Sequence, residues 1–181
     1  MDPAKIRELL ERVQGGKESV DDAVEALKLL PFSDLGYAVV DNHRALRVGV
    51  PEVIFAEGKT PEQITGIAKE LARTGQNVLM TRLSKEAAAA VKEAVPALRY
   101  VELARVGTLD VAPIEKLSDK PVALVSAGTS DLPVAEECAE TMRMLGIDCE
   151  RVYDVGVAGI HRVLHKQQTL AGAPVVIVIA G

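Results

Sequence analysis

The sequence predicts an α/β protein in which parallel strands are covered by helices. Hydrophobic residues make up 48% of the 181 residues, but aromatic residues only 3%, and tryptophan is absent. The core must therefore be aliphatic, which suits parallel sheets buried under helices. Short β-branched runs also alternate with amphipathic stretches along the chain, and this rhythm is typical of parallel strands joined by crossover helices.

Charge, cysteine content and apolar runs narrow the class of function. The formal net charge is −5, with acids and bases interspersed, which argues against nucleic-acid and membrane partners, because both need a basic face. Cys138 and Cys149 lack metal-pair spacing and form no disulfide framework. There is no apolar signal segment and no run long enough to span a membrane. We expect a cytoplasmic protein.

The helices and strands of the first half of the chain are predicted from the spacing of apolar residues and from helix-capping residues. Helical spacing predicts two leading helices, and apolar runs between polar residues predict strands. Thr60, Pro61 and Gln63 have the pattern of a capping box with proline in the first turn, so a helix begins there. The predicted helices cover 4–14, 19–30 (ended by Pro31), 61–74 and 84–95, and the strands 37–40, 53–55, 77–83 and 99–105.

A stretch without clear periodicity, residues 107–120, is interpreted as a linker because it mixes glycine, proline and charge. We therefore predict an N-terminal α/β domain with two leading helices over residues 1–112 and a second domain over residues 113–181. In the second domain, strands are predicted at 122–127, 149–154 and 174–181, and helices at 131–145 and 159–171.

The last predicted strand, residues 174–181, is almost wholly apolar and is expected to be buried. In open parallel sheets, ligands bind outside the carboxyl ends of the strands. The sequence thus stops at a candidate active-site edge, and we expect the natural chain to continue beyond Gly181. The turns at 127–131 and 154–162 and the end at 180–181 should converge at this edge.

The first turn, Gly128-Thr129-Ser130-Asp131, has two interpretations. Serine, threonine and aspartate are preferred helix caps, and an acid is stabilised at a helix amino terminus. Alternatively, the backbone amides of Gly128 to Ser130 face an anion, while Asp131 accepts from a hydroxyl or neutralises a cationic ring. Residue spacing leaves both interpretations open.

The second turn places Gly156, Gly159, His161 and Arg162 near a helix start. The helix dipole disfavours a cation there, and a bound anion would relieve that cost. The glycines would let backbone approach a ligand, His161 could transfer a proton, and Arg162 could grip a phosphate or carboxylate. The alternative is an ordinary exposed helix start.

Asp154 ends the second strand of a βαβ unit, where dinucleotide-binding folds contact a ribose hydroxyl. The glycine fingerprint GxGxxG is missing, which argues against hydride transfer but not against a nucleotide ligand. Cys138 and Cys149 are interpreted as packing residues. His43 has no partners at ligand spacing, so no metal site is predicted.

The pattern strand-AGTSD-helix-LGI followed by AG-x-HR resembles that of the aminoimidazole ribonucleotide carboxylases, which read GSxSD, a helix with GI, and SAHR. Ser130, Asp131, His161 and Arg162 match the family residues that surround a ribonucleotide phosphate and its reacting ring. Gly128 and Gly159 stand where that family has serine.

The chain resembles more closely a related family, the carboxylase and hydrolase of nickel-pincer cofactor synthesis. That resemblance extends over DLGYAVVDNHRALRVGVPEVIFAEGKTPEQ, SAGTSDLPVAEE and RVYDVGVAGIHRVL.

The resemblance implies a flavodoxin-like parallel sheet with helices on both faces, truncated at its C-terminal side. It implies an enzyme that carboxylates the pyridinium ring of nicotinic acid adenine dinucleotide and releases AMP, with Asp131 and His161 as catalytic residues. Ser130 and Arg162 are the substrate-binding residues that the resemblance implies, and the two turns described above add Gly128, Thr129, Asp154 and Gly159 to the predicted substrate-binding residues. The chemistry uses a cysteine that neither Cys138 nor Cys149 matches, so the chain as given is expected to be inactive.

The remaining expectations concern ligands and assembly. No tightly bound cofactor is expected, carbon dioxide or bicarbonate serves as co-substrate, and a need for Mg²⁺ is left open. The partner is a small-molecule nucleotide, and the resembled families form symmetric homo-oligomers, often octamers. Aminoimidazole ribonucleotide carboxylation is the alternative activity. A noncatalytic nucleotide-binding or assembly module is the alternative from another class.

Overall fold

The computed structural model of the chain describes residues 3–28, 32–42 and 44–181. The elements in chain order are α1 (Pro3–Gln14), α2 (Val20–Lys28), β1 (Ser33–Asp34), β2 (Val39–Val40), α3 (Arg44–Val48), β3 (Val53–Phe55), α4 (Pro61–Arg73), β4 (Val78–Thr81), α5 (Lys85–Ala94), β5 (Arg99–Val101), β6 (Val106–Leu109), β7 (Val122–Ser126), α6 (Leu132–Met144), β8 (Cys149–Val152), α7 (Ile160–Leu164), α8 (Gln167–Gly172) and β9 (Val176–Ile179).

The two leading helices are confirmed where they are described. The end predicted for the second helix at residues 29–30, with Pro31 as its stop, lies outside the described residues, as does His43. The capping box that opens α4 is also confirmed, because Thr60 accepts from the Gln63 amide and the Gln63 side chain accepts from the Thr60 amide.

The first sheet has the strand order β3-β4-β6-β5 and is mixed. Strands β3 and β4 are parallel, as predicted, whereas β6 runs antiparallel to both β4 and β5. The interpretation of 107–120 as a linker is therefore wrong at its start, since Val106–Leu109 is a fully buried strand. Gly107 allows this packing, because a Cβ there would lie 2.8 Å from Leu83 Cδ2.

The second sheet is parallel and has the order β8-β7-β9. On one face, Ala135 and Ala139 of α6 pack against Leu124. On the other face, Val163 of α7 and Leu170 of α8 pack against buried valines of the sheet. The protein is thus an α/β fold with helices on both faces, and this strand order is that of the first three strands of a flavodoxin-like sheet.

Two details of the second sheet differ from the sequence prediction. The helix predicted over 159–171 is broken into α7 and α8, because the Lys166 amide bonds the Val163 carbonyl three residues back and the last turn tightens. Strand β9 is buried on one face only. Ile177 and Ile179 pack on the α6 side, whereas Val176 and Val178 are 43% and 63% exposed.

Helix α6 lies between the two sheets. Its alanines face the second sheet, whereas Met144 packs with Leu79 and Val106 of the first sheet. Glu140 of α6 has a side chain only 5% exposed, and it accepts hydrogen bonds from Arg99 of β5 at 2.6 and 2.9 Å. The division predicted between residues 112 and 113 stays a prediction, and this ion pair joins residues on either side of it.

Arg143 completes the charge cluster on α6. Its guanidinium lies 3.0 Å from Glu140, 3.0 Å from Asp110 and 3.0 Å from the Thr108 hydroxyl. The hydrogen bond from Arg99, aided by Arg143, lowers the pKa of Glu140 although burial opposes this effect. The charge of Glu140 is therefore compensated inside the protein.

A second carboxylate holds the β1–β2 hairpin to α4. Glu70 accepts from the Ser33 hydroxyl at 2.5 Å and from the Arg73 guanidinium at 2.7 and 2.9 Å. The Arg73 hydrogen bond lowers the pKa of Glu70 to about 2.

Across the part of the chain that the structure describes, no helix combines the length and apolar character that a membrane crossing requires.

We predict that Glu140→Ala lowers the free energy of unfolding by about 2 kcal/mol, measured by urea denaturation. The substitution removes a buried carboxylate that accepts hydrogen bonds from two guanidinium groups. The decrease in unfolding free energy stays moderate because Arg99 is half exposed and can turn to solvent. Glu102→Ala, which breaks the exposed pair with Lys85, is the control and should leave the urea midpoint unchanged. Equal effects of the two substitutions would contradict the prediction.

We also predict that the protein loses stability in acid. Glu70 and Glu140 have a lower pKa in the folded protein than in the unfolded chain, so their contribution is present at neutral pH and is lost as the pH falls through the folded values. For Glu70 this window runs from 4.5 down to about 2. The double variant Glu70→Gln/Glu140→Gln should show a shallower decline of unfolding free energy with pH. An unchanged slope would rule the explanation out.

Candidate functional site

The carboxyl ends of the three strands of the second sheet meet at one edge, as the sequence predicts. The Ala127 amide bonds the Ile179 carbonyl at 3.1 Å, and the Gly156 amide bonds the Ala127 carbonyl at 2.8 Å. The turn at 127–131 therefore lies between the turn after β8 and the end of β9. We use the term carboxyl edge for residues 127–131, 153–162 and 180–181.

Asp131 links two parts of the carboxyl edge. A 3₁₀ turn, Thr129–Asp131, leads into α6. One carboxylate oxygen of Asp131 accepts from the Gly128 amide at 2.8 Å, and the other accepts from the Gly181 amide at 3.3 Å. The residue is 8% exposed. Asp131 thus has a structural role in this turn, and its predicted catalytic role stays a prediction.

The other residues of the first turn face solvent or support Asp131. Thr129 and Ser130 are exposed at the beginning of α6, where hydroxyl groups and the first helical amides can meet a ligand. The Gly128 amide donates to the Asp131 carboxylate in this structure, and its predicted contact with a ligand anion stays a prediction. A ligand that binds this amide would have to replace the Asp131 carboxylate as its acceptor.

Ser126 shapes the second turn and was missed at the sequence level. Its side chain is fully buried at the end of β7, and its hydroxyl accepts from the Asp154 amide at 3.1 Å. Asp154 has φ of 57°, a left-handed conformation that aspartate tolerates better than most residues. The signal in the sequence that could have identified Ser126 is a small polar residue at the end of an otherwise apolar strand.

Asp154 holds Arg162 rather than standing free. Its Oδ2 lies 2.6 Å from Arg162 Nη1, with side chains 52% and 37% exposed. A half-exposed pair contributes little stability, so an anionic ligand can compete with Asp154 for Arg162. The predicted ribose contact of Asp154 stays a prediction.

The dipole argument for an anion at Arg162 is weakened by the structure. Helix α7 has only five residues, and the charge of Arg162 is already met by Asp154. His161 is exposed beside Arg162. The turn therefore offers an imidazole and a guanidinium at the surface of the carboxyl edge, without requiring a bound anion to explain their presence.

The two glycines of the second turn serve packing within the protein. A Cβ on Gly156 would lie 2.7 Å from the Ala127 carbonyl oxygen, so glycine lets the second turn rest on the first. A Cβ on Gly159 would lie 2.7 Å from Arg162 Nε, so the Arg162 guanidinium occupies that space. Ala127 and Arg162 fill the space beside these glycines in this structure, and the predicted approach of a ligand to them stays a prediction.

The thiols and metal-ligand groups lie apart from this chemistry. Burial raises the pKa of the Cys138 thiol and of the Cys149 thiol, which disfavours the reactive thiolate. Both side chains pack against the core between α6 and the second sheet. Among the described residues, no group of three or more histidine, cysteine, aspartate or glutamate side chains is arranged to hold a metal ion.

The bonds of Asp131 generate a stability prediction. Asp131→Ala should lower the free energy of unfolding by about 1 kcal/mol, because two backbone amides lose their acceptor at a helix start. Ser130→Ala, next to it, removes an exposed hydroxyl and should leave the stability unchanged. Urea denaturation followed by circular dichroism measures both, and an Asp131→Ala variant as stable as the wild type would contradict the structural role.

Two comparisons with known proteins differ in how much of the chain they cover: one is confined to residues 32–111, and the other spans nearly the whole chain. Residues 32–111 match the family model described as the LarB/PurE-like N-terminal domain, which is less than half of the chain and does not include the carboxyl edge. An uncharacterized protein of Methanocaldococcus jannaschii is 28% identical over 191 residues, covering 97% of this chain and 72% of that protein. Over residues 32–111 the chain is thus similar to the domain described as LarB/PurE-like.

Proposed function

We propose that the protein is a carboxylase acting on a nucleotide, and specifically that it carboxylates the pyridinium ring of nicotinic acid adenine dinucleotide and hydrolyses the phosphoanhydride to release AMP. This is the first step of nickel-pincer cofactor synthesis. The observation that carries the proposal is the match to the LarB/PurE-like domain in a chain whose Asp131 and Arg162 turns meet at one sheet edge. A carboxylase-type activity is the broader statement that the match supports.

The charges at the carboxyl edge suit such a substrate. A pyridinium ring is cationic and its nucleotide carries phosphates, so the ligand needs both an acidic and a basic neighbour. In the proposal, Ser130 and Asp131 orient the ring or ribose. Arg162 leaves Asp154 to hold an anion, and His161 moves a proton or binds the new carboxylate.

The reaction balances when a thiolate is supplied. Addition of the thiolate to the ring makes a ring carbon electron-rich, and that carbon attacks carbon dioxide to form the new C–C bond. Loss of the proton from this carbon and departure of the thiolate restore the aromatic ring, while water cleaves the P–O–P linkage and AMP leaves. Cys138 and Cys149 have raised pKa values and pack in the core, so we assign neither this role.

The test uses full-length protein with nicotinic acid adenine dinucleotide and bicarbonate, and mass spectrometry detects AMP and the dicarboxylated mononucleotide. Absence of both products would overturn the proposal.

Arg162→Gln should raise KM about tenfold or more, because a charge-assisted bond to the substrate is lost. Lys166→Gln is the matched control, since it removes an exposed cation one turn further along and should leave KM unchanged. Adding a chelator to the same assay tests for a Mg²⁺ requirement, and light scattering tests for the proposed homo-oligomer.

Aminoimidazole ribonucleotide carboxylation is the second candidate. It is favoured by the pairing of Ser130-Asp131 with His161-Arg162 at one edge, which matches the residues of that family. The substrate is a mononucleotide with one phosphate, so it needs no second nucleotide site. Complementation of a purine auxotroph by the full-length protein would support this activity over the first.

A further inference from the structure

Three cations at the carboxyl ends of β3 and β4 have no part in the site described above. We call Lys59, Arg82 and Arg105 the cation rim. Lys59 lies in the loop after β3, Arg82 directly follows β4, and Arg105 ends the turn between β5 and β6. These loops are contiguous, because the Ala56 amide bonds the Thr81 carbonyl at 2.9 Å and the Leu83 amide bonds the Arg105 carbonyl at 2.8 Å.

The positive charges of the cation rim are weakly compensated. Lys59 donates to the Phe55 carbonyl at 2.8 Å, and Arg105 donates to the Arg82 carbonyl at 3.4 Å. Within residues 3–28, 32–42 and 44–181, neither of these two side chains forms an ion pair with a carboxylate. Arg82 pairs with Glu137 of α6 at 3.2 Å, with side chains 41% and 22% exposed.

Helix α6 shows where the cation rim lies relative to the carboxyl edge. Glu137, in the middle of α6, contacts Arg82 at the carboxyl end of β4, whereas Arg143, near the end of α6, contacts Asp110 beyond the other end of β4. The helix therefore runs opposite to β4, and its start lies on the side of the cation rim. From Asp131 to Glu137 is six residues, about 9 Å along the helix axis.

We propose that the cation rim binds a phosphoryl group in the half of a dinucleotide that is remote from the reacting ring, while the ring lies at the 127–131 turn. The inference rests on the proposed function and gives the first sheet a part in substrate binding. Guanidinium and ammonium groups bind phosphate by charge-assisted hydrogen bonds. The part-exposed Arg82–Glu137 pair contributes little, so a phosphate can replace Glu137 as the partner of Arg82.

The experiment measures the Kd of full-length protein for nicotinic acid adenine dinucleotide and for nicotinic acid mononucleotide by titration calorimetry. In the double variant Arg82→Gln/Arg105→Gln, the dinucleotide should bind about tenfold or more weakly, because two charged donors are lost. The mononucleotide should bind as in the wild type. Lys59 forms no ion pair with any residue that the structure describes, so Lys59→Gln should shift the same affinity ratio without disturbing α6.

Two control variants separate binding from structure. Glu137→Gln breaks the same pair as Arg82→Gln but keeps the cation, so dinucleotide affinity should stay equal or rise. Lys92→Gln removes an exposed cation from the last turn of α5 and should change neither affinity. A loss of dinucleotide affinity in Glu137→Gln equal to that in the arginine variant would overturn the inference, and so would equal losses for both ligands.

The outcomes also separate this inference from the proposed function. If the wild type converts the dinucleotide but the cation-rim variants bind both ligands normally, the inference is overturned and the proposed function stands. If the wild type binds neither ligand, both are overturned. If the dinucleotide binds through the cation rim but is not carboxylated, the inference stands and the proposed reaction is overturned.

Discussion

The placement of α6 between two sheets depends on the carboxylate of Glu140. A carboxylate that is 5% exposed requires partners, and it finds them in Arg99 from the first sheet and Arg143 from its own helix. The same helix must turn its alanines toward the second sheet, where Ala135 and Ala139 are fully packed. Together these requirements determine the rotation of α6, and with it the position of the turn that starts the helix.

The carboxyl edge is organised by the bonds of its own acids. Asp131 satisfies two backbone amides, and Asp154 is oriented by Ser126 and holds Arg162. Asp131, Asp154 and Arg162 already have partners, so a ligand that binds any of them must exchange with the existing partner. Such an exchange is easiest at Arg162, whose pair is half exposed, and hardest at Asp131, which is buried.

Elements with strong local signals were predictable, and those that depend on distant contacts were not. Thr60 and Gln63 define the start of α4 through bonds between neighbours in sequence. Strand β6 contains glycine and threonine in a four-residue run, and it is a strand because it inserts between β4 and β5. The break between α7 and α8 likewise has no proline or glycine at Lys166 to announce it.

The sequence by itself determined the α/β class, the aliphatic core and the turns at 127–131 and 154–162 where polar residues gather, because period, capping and composition are local properties. It left open whether Asp131 caps a helix or meets a ligand. The tertiary structure decided that Asp131 bonds Gly128 and Gly181, and that the first sheet brings Arg82 to α6. The bond to Gly128 is local to the turn, but the contacts of Asp131 with Gly181 and of Arg82 with Glu137 join residues distant in sequence, and only the packing of sheets and helix brings them together.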